Sequence, residues 1–312
     1  MRAQAILLNP YANGGKSRSR WQDVLADART RELGLDQAQT YDGDPAEAAA
    51  WVLDRVQAGV RRFVAAGGDG TVHLALQALL AAQSATGERL SLGAVALGSS
   101  NDFHKPFGAP GRERIGGRPA RVDFFRAAAH DVGRVEVDDG SSRSFLINAS
   151  VGATAEANDL FNNPGLVLRV LKRTWVDGAI LWAALATLAR FRNLDARIEV
   201  EGEGPRDVHL SNLGVVKNPY FAGSFRYDVP QQPDDGWFGV HLCEDLGKTG
   251  LIRTLVALGS GRFQGLPGAS SRQARAVDVQ ADRPFTVETD GEVVRTRHAR
   301  FHLLPGALLV CP

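Results

Sequence analysis

The sequence predicts two domains: an α/β domain built on a parallel sheet over residues 1–122, then a mostly β domain over residues 123–299. Three observations predict this. Short apolar runs alternate with helix-patterned stretches through roughly the first 120 residues, which implies parallel strands covered by helices on both faces. From Asp131 onward, strand-type runs follow one another with little helix between them. Between the two regions Pro106, Gly108, Pro110, Gly111, Gly116, Gly117 and Pro119 interrupt both patterns. At 312 residues and 44% apolar, the chain is long enough to bury two cores.

The elements follow in order. Ala5–Leu8 reads as a first strand ended by Pro10, and Gly14 and Gly15 then make a tight, open turn with Lys16 beside it. A helix is predicted from about Arg20 to Thr30 and a second strand from Asp36 to Thr40. Pro45 to Val60 reads as a helix with Asp44 at its N-cap. Arg62–Ala66 is a short buried strand leading into Gly67-Gly68-Asp69-Gly70-Thr71, and the apolar spacing of Val72–Leu80 suits a buried helix. Leu92–Ala96 is a fourth strand, followed by the small and polar run Leu97–Phe103. Beyond Asp131, strands are predicted at Val132–Val137, Ser144–Asn148, Ala196–Glu201, Asp207–Val216, Trp237–Cys243, Ala276–Gln280, Phe285–Glu288 and Phe301–Leu304, with a tail at Leu308–Val310. A helical insertion is expected from Val167 to Phe191.

Bulk properties exclude several classes. A net charge of +1 gives no global basic field, so nucleic acid is not an expected partner. Cys243 and Cys311 lie far apart, with no CxxC or CxxxH spacing, and read as reduced, buried thiols in a cytosolic protein. Apart from His73 in the helix after the glycine loop, the histidines His104, His130, His209, His241, His298 and His302 are scattered without ligand spacing, and none reads as catalytic. The N-terminus enters a strand directly, so no signal peptide is expected. The most apolar helical stretch, Ala179–Ala189, falls short of the ~20 residues that span a bilayer and reads as a core or interfacial helix.

The five residues Gly67–Thr71 carry the most information. A glycine-rich turn between strand and helix exposes backbone N–H groups at the positive end of the helix, which suits a phosphate. A carboxylate there would repel phosphate directly, so Asp69 either holds the loop's shape or acts through magnesium or a phosphoryl acceptor. Three such loops, after the first, third and fourth strands, would gather at the carboxyl edge of one sheet, where open α/β sheets bind ligands.

The chain resembles the diacylglycerol kinase catalytic-domain superfamily, which includes the bacterial soluble lipid kinases and the sphingosine kinases. The motifs are Asn9–Gly15, Gly67–Leu74, Ala96–Asp102, Asp234–Gly239 and Asp290-Gly291-Glu292, in matching order and spacing across nearly the whole chain. NAD kinases and phosphofructokinases also carry GGDG, but the chain has no Gly-Ser-Thr-Ala-Tyr element, and Ser99-Ser100-Asn101-Asp102 favours the lipid kinases. Departures are Leu74 where the family has Glu, His73 where many members have Asn, Ala96 for Pro, and Ser99 for Thr. The glycine-rich stretch before the acidic motif is reduced to Phe221–Ser224.

The resemblance implies the two-domain lipid kinase fold, with residues 300–312 returning to complete the first domain. It implies an ATP-dependent, magnesium-requiring lipid kinase acting on a membrane lipid alcohol, with diacylglycerol as default acceptor and a sphingoid base or another lipid alcohol as alternatives. A catalytically weak relative that binds nucleotide or lipid, motivated by Leu74, and a soluble-metabolite kinase are the competing readings. The nucleotide would meet Gly67, Gly68, Asp69, Gly70 and Thr71, with Asn9, Lys16, Thr40, Ser99 and Asn101 around it. Asp290 and Glu292 are the implied acceptor-activating base, with Asp69 able to share that role; at i and i+2 their side chains share a face if the segment is extended. A structural magnesium would take the Asp235 carboxylate and the carbonyls of Gln232 and Trp237. The implied location is cytoplasmic with transient peripheral membrane contact, and a homodimer is compatible with the reading.

Overall fold

The computed structural model describes residues 3–105, 113–163, 178, 182–183, 186–187 and 190–312. The chain divides into two compact units, one of residues 1–130 and 306–312, the other of residues 131–305. The sequence expectation set these limits at 122/123 and 299/300.

In the first unit, β1 (Gln4–Leu8), β2 (Gln39–Tyr41), β3 (Arg62–Gly67) and β4 (Ser91–Ala96) are parallel in the order β2-β1-β3-β4. The last residues of the chain's long final strand add beyond β4, pairing Leu309 with Ser91 and Val310 with Leu92 in parallel. The connecting helices are α1 (Ser17–Ala26), α2 (Ala28–Glu32), α3 (Ala48–Gln57) and α4 (Asp69–Thr86). Asp44 caps as its sequence position predicts, its carboxylate accepting the Ala46 N–H at 2.9 Å ahead of a Pro45–Glu47 helical turn. β3 and β4 are almost wholly buried because layers cover both faces, which is why their residues read as unbroken apolar runs. One layer is a cluster of Ile6, Val64, Ala66 and Val95 with Trp21 and Val24 of α1. A short hairpin, β5 (Arg114–Ile115) and β6 (Arg118–Arg121), turns at Gly116-Gly117 and sets β6 antiparallel on β4. The breakers Pro106, Gly108, Pro110 and Gly111 lie outside the described residues.

The second unit is mostly strand. It holds most of β7 (Ala128–Val137), then β8 (Ser142–Phe145), β9 (Asn148–Gly152), β10 (Leu194–Val200), β11 (Arg206–Val216), the small pair β12 (Tyr220–Phe221) and β13 (Phe225–Arg226), β14 (Phe238–Glu244), β15 (Ala269–Ala274), β16 (Ala276–Thr289) and most of β17 (Glu292–Val310). The antiparallel order is β15-β14-β11-β10-β16-β17, with β9 paired to the ends of β11 and β16. Alternation is clean in β10, where Leu194, Ala196, Ile198 and Val200 point into the core and the residues between them are exposed. The stacked Phe145 and Phe238 rings, 5.7 Å apart, sit in the same core.

Several expectations change. Ala276–Gln280 and Phe285–Glu288 are one strand, broken only by a register shift, and Phe301–Leu304 and Leu308–Val310 both lie in β17. Ser144–Asn148 is the end of β8 and the start of β9 with a break between. Two helices escaped the sequence reading: α5 (Ala153–Asn162) and α6 (Lys248–Gly259). Most of the insertion expected from Val167 to Phe191 lies outside the described residues. Among the described residues, no helix is long and apolar enough to cross a membrane.

Candidate active site

In the first unit, the loops after β1, β3 and β4 meet at the carboxyl edge of the sheet. Strand order reverses between β1 and β3, the point where open α/β sheets present ligand sites. The approach of two of these loops requires glycine: a Cβ on Gly98 would lie 2.4 Å from the Gly68 Cα. The Leu97 and Gly98 N–H groups both donate to the Gly67 carbonyl, at 2.8 and 3.1 Å. Asn101, in the left-handed region at φ 50°, folds its amide back on Gly98, accepting from its N–H at 3.0 Å and donating to its carbonyl at 2.9 Å. Asn101 therefore shapes the loop.

Asp69 opens α4 and accepts the Phe103 N–H at 3.0 Å, linking the glycine loop to the loop after β4. Phe103 is held from its other side by Arg121, which donates to the Phe103 carbonyl at 3.0 Å and the Cys311 carbonyl at 2.8 Å. Of the sequence alternatives for Asp69, loop shaping thus has a geometric basis. Thr71 is buried against Gly67, where any Cβ would collide with its side chain. Gly70 and Ser99 are exposed. Asn9 accepts the Tyr11 N–H on its side chain and the Ser17 hydroxyl on its carbonyl, so it builds the turn, while Lys16 is exposed. Thr40 lies on β2, opposite Ile6 of β1, and is also exposed. Arg20, which the motifs did not flag, donates to the Leu97 and Gly98 carbonyls at 2.8 Å each, and burial beside Arg118 lowers its pKa from the ordinary value.

In the second unit, Asp290 and Gly291 are the two central residues of the hairpin joining β16 to β17, with Thr289 opposite Glu292. Both have positive φ, 48° and 95°, as a primed two-residue turn requires, and Asp-Gly is a sequence suited to it. The segment is therefore not extended, and the two acids do not share a face. Asp290 is buried, and its carboxylate accepts three backbone N–H groups: Leu146 at 3.0 Å, Ile147 at 2.9 Å and Asn148 at 3.0 Å. Glu292 is exposed. Glu288, missed by motif reading, is 2% exposed and accepts from Ser150 Oγ at 2.7 Å and from the N–H of Gly291, the second residue of the same hairpin turn, at 2.6 Å.

The acidic turn at 234–236 departs from its expected use. Lys217 Nζ donates to Asp235 Oδ1 at 2.8 Å, the Trp237 carbonyl at 2.8 Å and Asp131 Oδ2 at 3.2 Å. Gln232 turns its N–H, at 3.3 Å, toward Asp235 Oδ2. Gln232, Asp235 and Trp237 as placed do not fit the divalent cation expected of them, because an ammonium stands where the metal would. Among the described residues no group of three or more His, Cys, Asp or Glu side chains is arranged for a metal. Both cysteines are buried, and burial pushes each thiol up to about 12, so neither is a nucleophile near neutral pH.

Residues 148–312 match the family described as the YegS C-terminal NAD kinase beta sandwich-like domain, and residues 4–124 match the diacylglycerol kinase catalytic domain. The chain belongs to the diacylglycerol kinase catalytic-domain superfamily. Membership places it among kinases, enzymes of phosphoryl transfer. A "Diacylglycerol kinase" of Mycobacterium tuberculosis is 26% identical over 308 residues, covering 97% of this chain and 93% of that protein. A "Probable lipid kinase YegS-like" of Xanthomonas axonopodis pv. citri is 26% identical over 292 residues, covering 92% and 89%. A crystal structure of a candidate diacylglycerol kinase from Bacillus anthracis superposes with a TM-score of 0.74 at 18% identity, covering 99% of this chain and 95% of that one, a likeness of fold. Within this superfamily member, the described residues bring Gly67, Gly68, Asp69, Thr71, Asn101 and the Ser99 loop together in one unit and Asp290 with Glu288 in the other.

Proposed function

We propose that the chain is an ATP-dependent lipid kinase that transfers the γ-phosphoryl group to the hydroxyl of a membrane lipid alcohol, with diacylglycerol or a sphingoid base as the first acceptors to test. The observation that carries the reading is the glycine loop at the start of α4, pressed backbone to backbone against the loop after β4 at the carboxyl edge of the sheet. Gly67, Gly68, Gly70 and the first turn of α4 offer N–H groups to nucleotide phosphates, Thr71 adds a hydroxyl, and Asn9, Lys16, Thr40, Ser99 and Asn101 line or shape the surroundings. The nucleotide would arrive with magnesium, which supplies charge neutralisation on the phosphates, and Asp69 is the carboxylate this loop offers it.

Phosphoryl transfer asks the protein mainly for positioning and charge neutralisation, while the acceptor hydroxyl needs somewhere to leave its proton. Asp69, Asp290 and Glu292 are the proposed proton-accepting carboxylates. Asp290 has most of its acceptor capacity committed to three N–H groups, which favours a positioning contribution from it. The working location is cytoplasmic with transient contact at a lipid surface.

The decisive assay presents the purified protein with labelled ATP and magnesium against a panel of lipid alcohols in mixed micelles. Label is expected in the phosphorylated lipid. Its absence from every lipid alcohol, with label instead on a soluble alcohol, would overturn the lipid assignment. Leu74 favours a second reading, a weak relative that binds nucleotide without efficient transfer: it is only half-buried and carries no charge at a position where the family motif has Glu.

A further inference from the structure

We infer that Lys217 is a built-in cation that stands in for a divalent metal in the C-terminal unit, so that this part of the fold needs neither magnesium nor calcium. The resemblance to bacterial lipid kinases implies a structural magnesium at the Asp234-Asp235-Gly236 loop, and the inference concerns how this chain departs from it. It goes beyond the proposed kinase activity and does not depend on it.

Lys217 follows directly on β11 and its side chain is only 2% exposed. Lysine is almost never buried to this degree unless paired. An ammonium has three N–H donors and no acceptor, and here three oxygens meet it: Asp235 Oδ1, the Trp237 carbonyl and Asp131 Oδ2. Donors and acceptors match one to one.

The oxygens are themselves fixed. Asp131 Oδ2 also accepts the Gly236 N–H at 2.8 Å, and Asp235 accepts the N–H groups of Trp237 at 3.0 Å and Gln232 at 3.3 Å. The Asp131 N–H in turn donates to the Pro233 carbonyl at 2.8 Å. Two carboxylates and a carbonyl converging on one point are the hard-oxygen set a magnesium or calcium ion takes. That point holds nitrogen. A divalent ion would have to displace a buried ammonium or sit beside it, where like charges repel across a short, poorly screened distance.

The site also has a structural duty. The N–H groups of Lys217 and Asn218 both donate to the Ile147 carbonyl at 2.9 Å, and the N–H of Ile147 donates to Asp290. One tethered backbone therefore joins the acidic turn to the hairpin carrying Asp290.

The test is thermal melting of the nucleotide-free protein in EDTA, in millimolar magnesium and in millimolar calcium. Coincident wild-type curves are expected. Lys217→Ala removes the ammonium and its stem, leaving the oxygens around an open space. It should melt several degrees lower in EDTA and recover when either cation is added. Lys217→Met fills the same space with an apolar chain and should melt low without recovering. A wild-type melting temperature that rises with either cation, and loses the rise in Asp235→Asn, overturns the inference. So does Lys217→Ala melting like the wild type. Should the variants not fold, the wild-type curves decide alone, because they require no substitution.

Discussion

Asp290→Asn separates a clamp from a base. The Asp290 carboxylate takes N–H groups from three consecutive residues at 2.9–3.0 Å in a buried setting. In the asparagine variant Oδ1 can still accept from Ile147 and Asn148, now without a full negative charge, while the amide NH₂ faces the Leu146 N–H donor to donor. Hydrogen bonds to charged groups contribute about 1.5–3 kcal/mol each, and leaving a buried donor unsatisfied costs about 1–3 kcal/mol. Because the three bonds share one acceptor group they are not additive, and a net loss of about 2–3 kcal/mol is expected. For a unit of this size that is a fall of roughly 4–12 °C in melting temperature. Glu292→Gln, at an exposed position, should melt within about 1 °C of the wild type. Circular dichroism melts of the three proteins, with lipid phosphorylation measured on the same preparations, give the answer. If Asp290→Asn melts like the wild type while its turnover collapses, the carboxylate is not holding Leu146–Asn148 in place, and the clamp argument is wrong.

Three further outcomes are expected. Asp69→Ala should abolish lipid phosphorylation and lower the melting temperature modestly, since it frees the Phe103 N–H; a folded variant of near-normal activity would contradict the phosphoryl-transfer role. Leu74→Glu should raise nucleotide affinity or turnover if the missing carboxylate is what limits the site; a fall in both would mean the pocket is adapted to an apolar residue. His241 is stacked 3.8 Å from the Tyr227 ring, and burial pushes its pKa down to about 3. The unfolded chain takes up that proton near pH 6.5, so the stabilisation is whole above pH 6.5 and is withdrawn, by about 1.4 kcal/mol per unit, as pH falls from there toward 3. His241→Phe should therefore show a shallower fall in melting temperature between pH 6.5 and 5 than the wild type, and equal slopes would refute this.

The first unit was legible because its signals are local. Parallel strands buried on both faces read as apolar runs, Asp44 and Pro45 announce a helix start, and the close approach of Gly68 and Gly98 falls in two runs of small residues, Gly67–Thr71 and Gly98–Ser100. The second unit was legible by alternation, as in β10, but its breaks were not. Ser144–Asn148 looked continuous because Leu146 and Ile147 are apolar, yet their N–H groups leave the ladder to bind Asp290. α6 is hard to see because it opens with Lys248-Thr249-Gly250, a poor helical start that tertiary packing overrides. The site residues missed are those whose meaning lies in distant partners: Arg20, Glu288, Asp131 and Lys217. One signal did point to the last of these. A lysine closing the apolar run Leu213-Gly214-Val215-Val216 must either turn out to solvent or find acids inside.

The Asp-Gly motifs at 235–236 and 290–291 are best understood together, although 55 residues separate them in sequence. Asp290 fixes Leu146, Ile147 and Asn148 through their N–H groups, while the Ile147 carbonyl takes the N–H groups of Lys217 and Asn218. Lys217 then reaches Asp235, Asp131 and the Trp237 carbonyl. The connected network has the buried Asp131 and the half-buried Asp235 at one end, the buried Asp290 at the other, and the buried Lys217 cation between the first two. Removing that cation leaves Asp131 and Asp235 facing each other, and breaking a buried pair by deleting one partner typically costs about 3–5 kcal/mol. The strain would be felt first at the residue 147 peptide, which both ends grip. Lys217→Met should therefore change the Asp290 hairpin as well as the acidic turn, seen as faster amide exchange at Leu146, Ile147 and Asn148. Unchanged exchange at those three amides, in a variant that melts low, would show that the two motifs are independent.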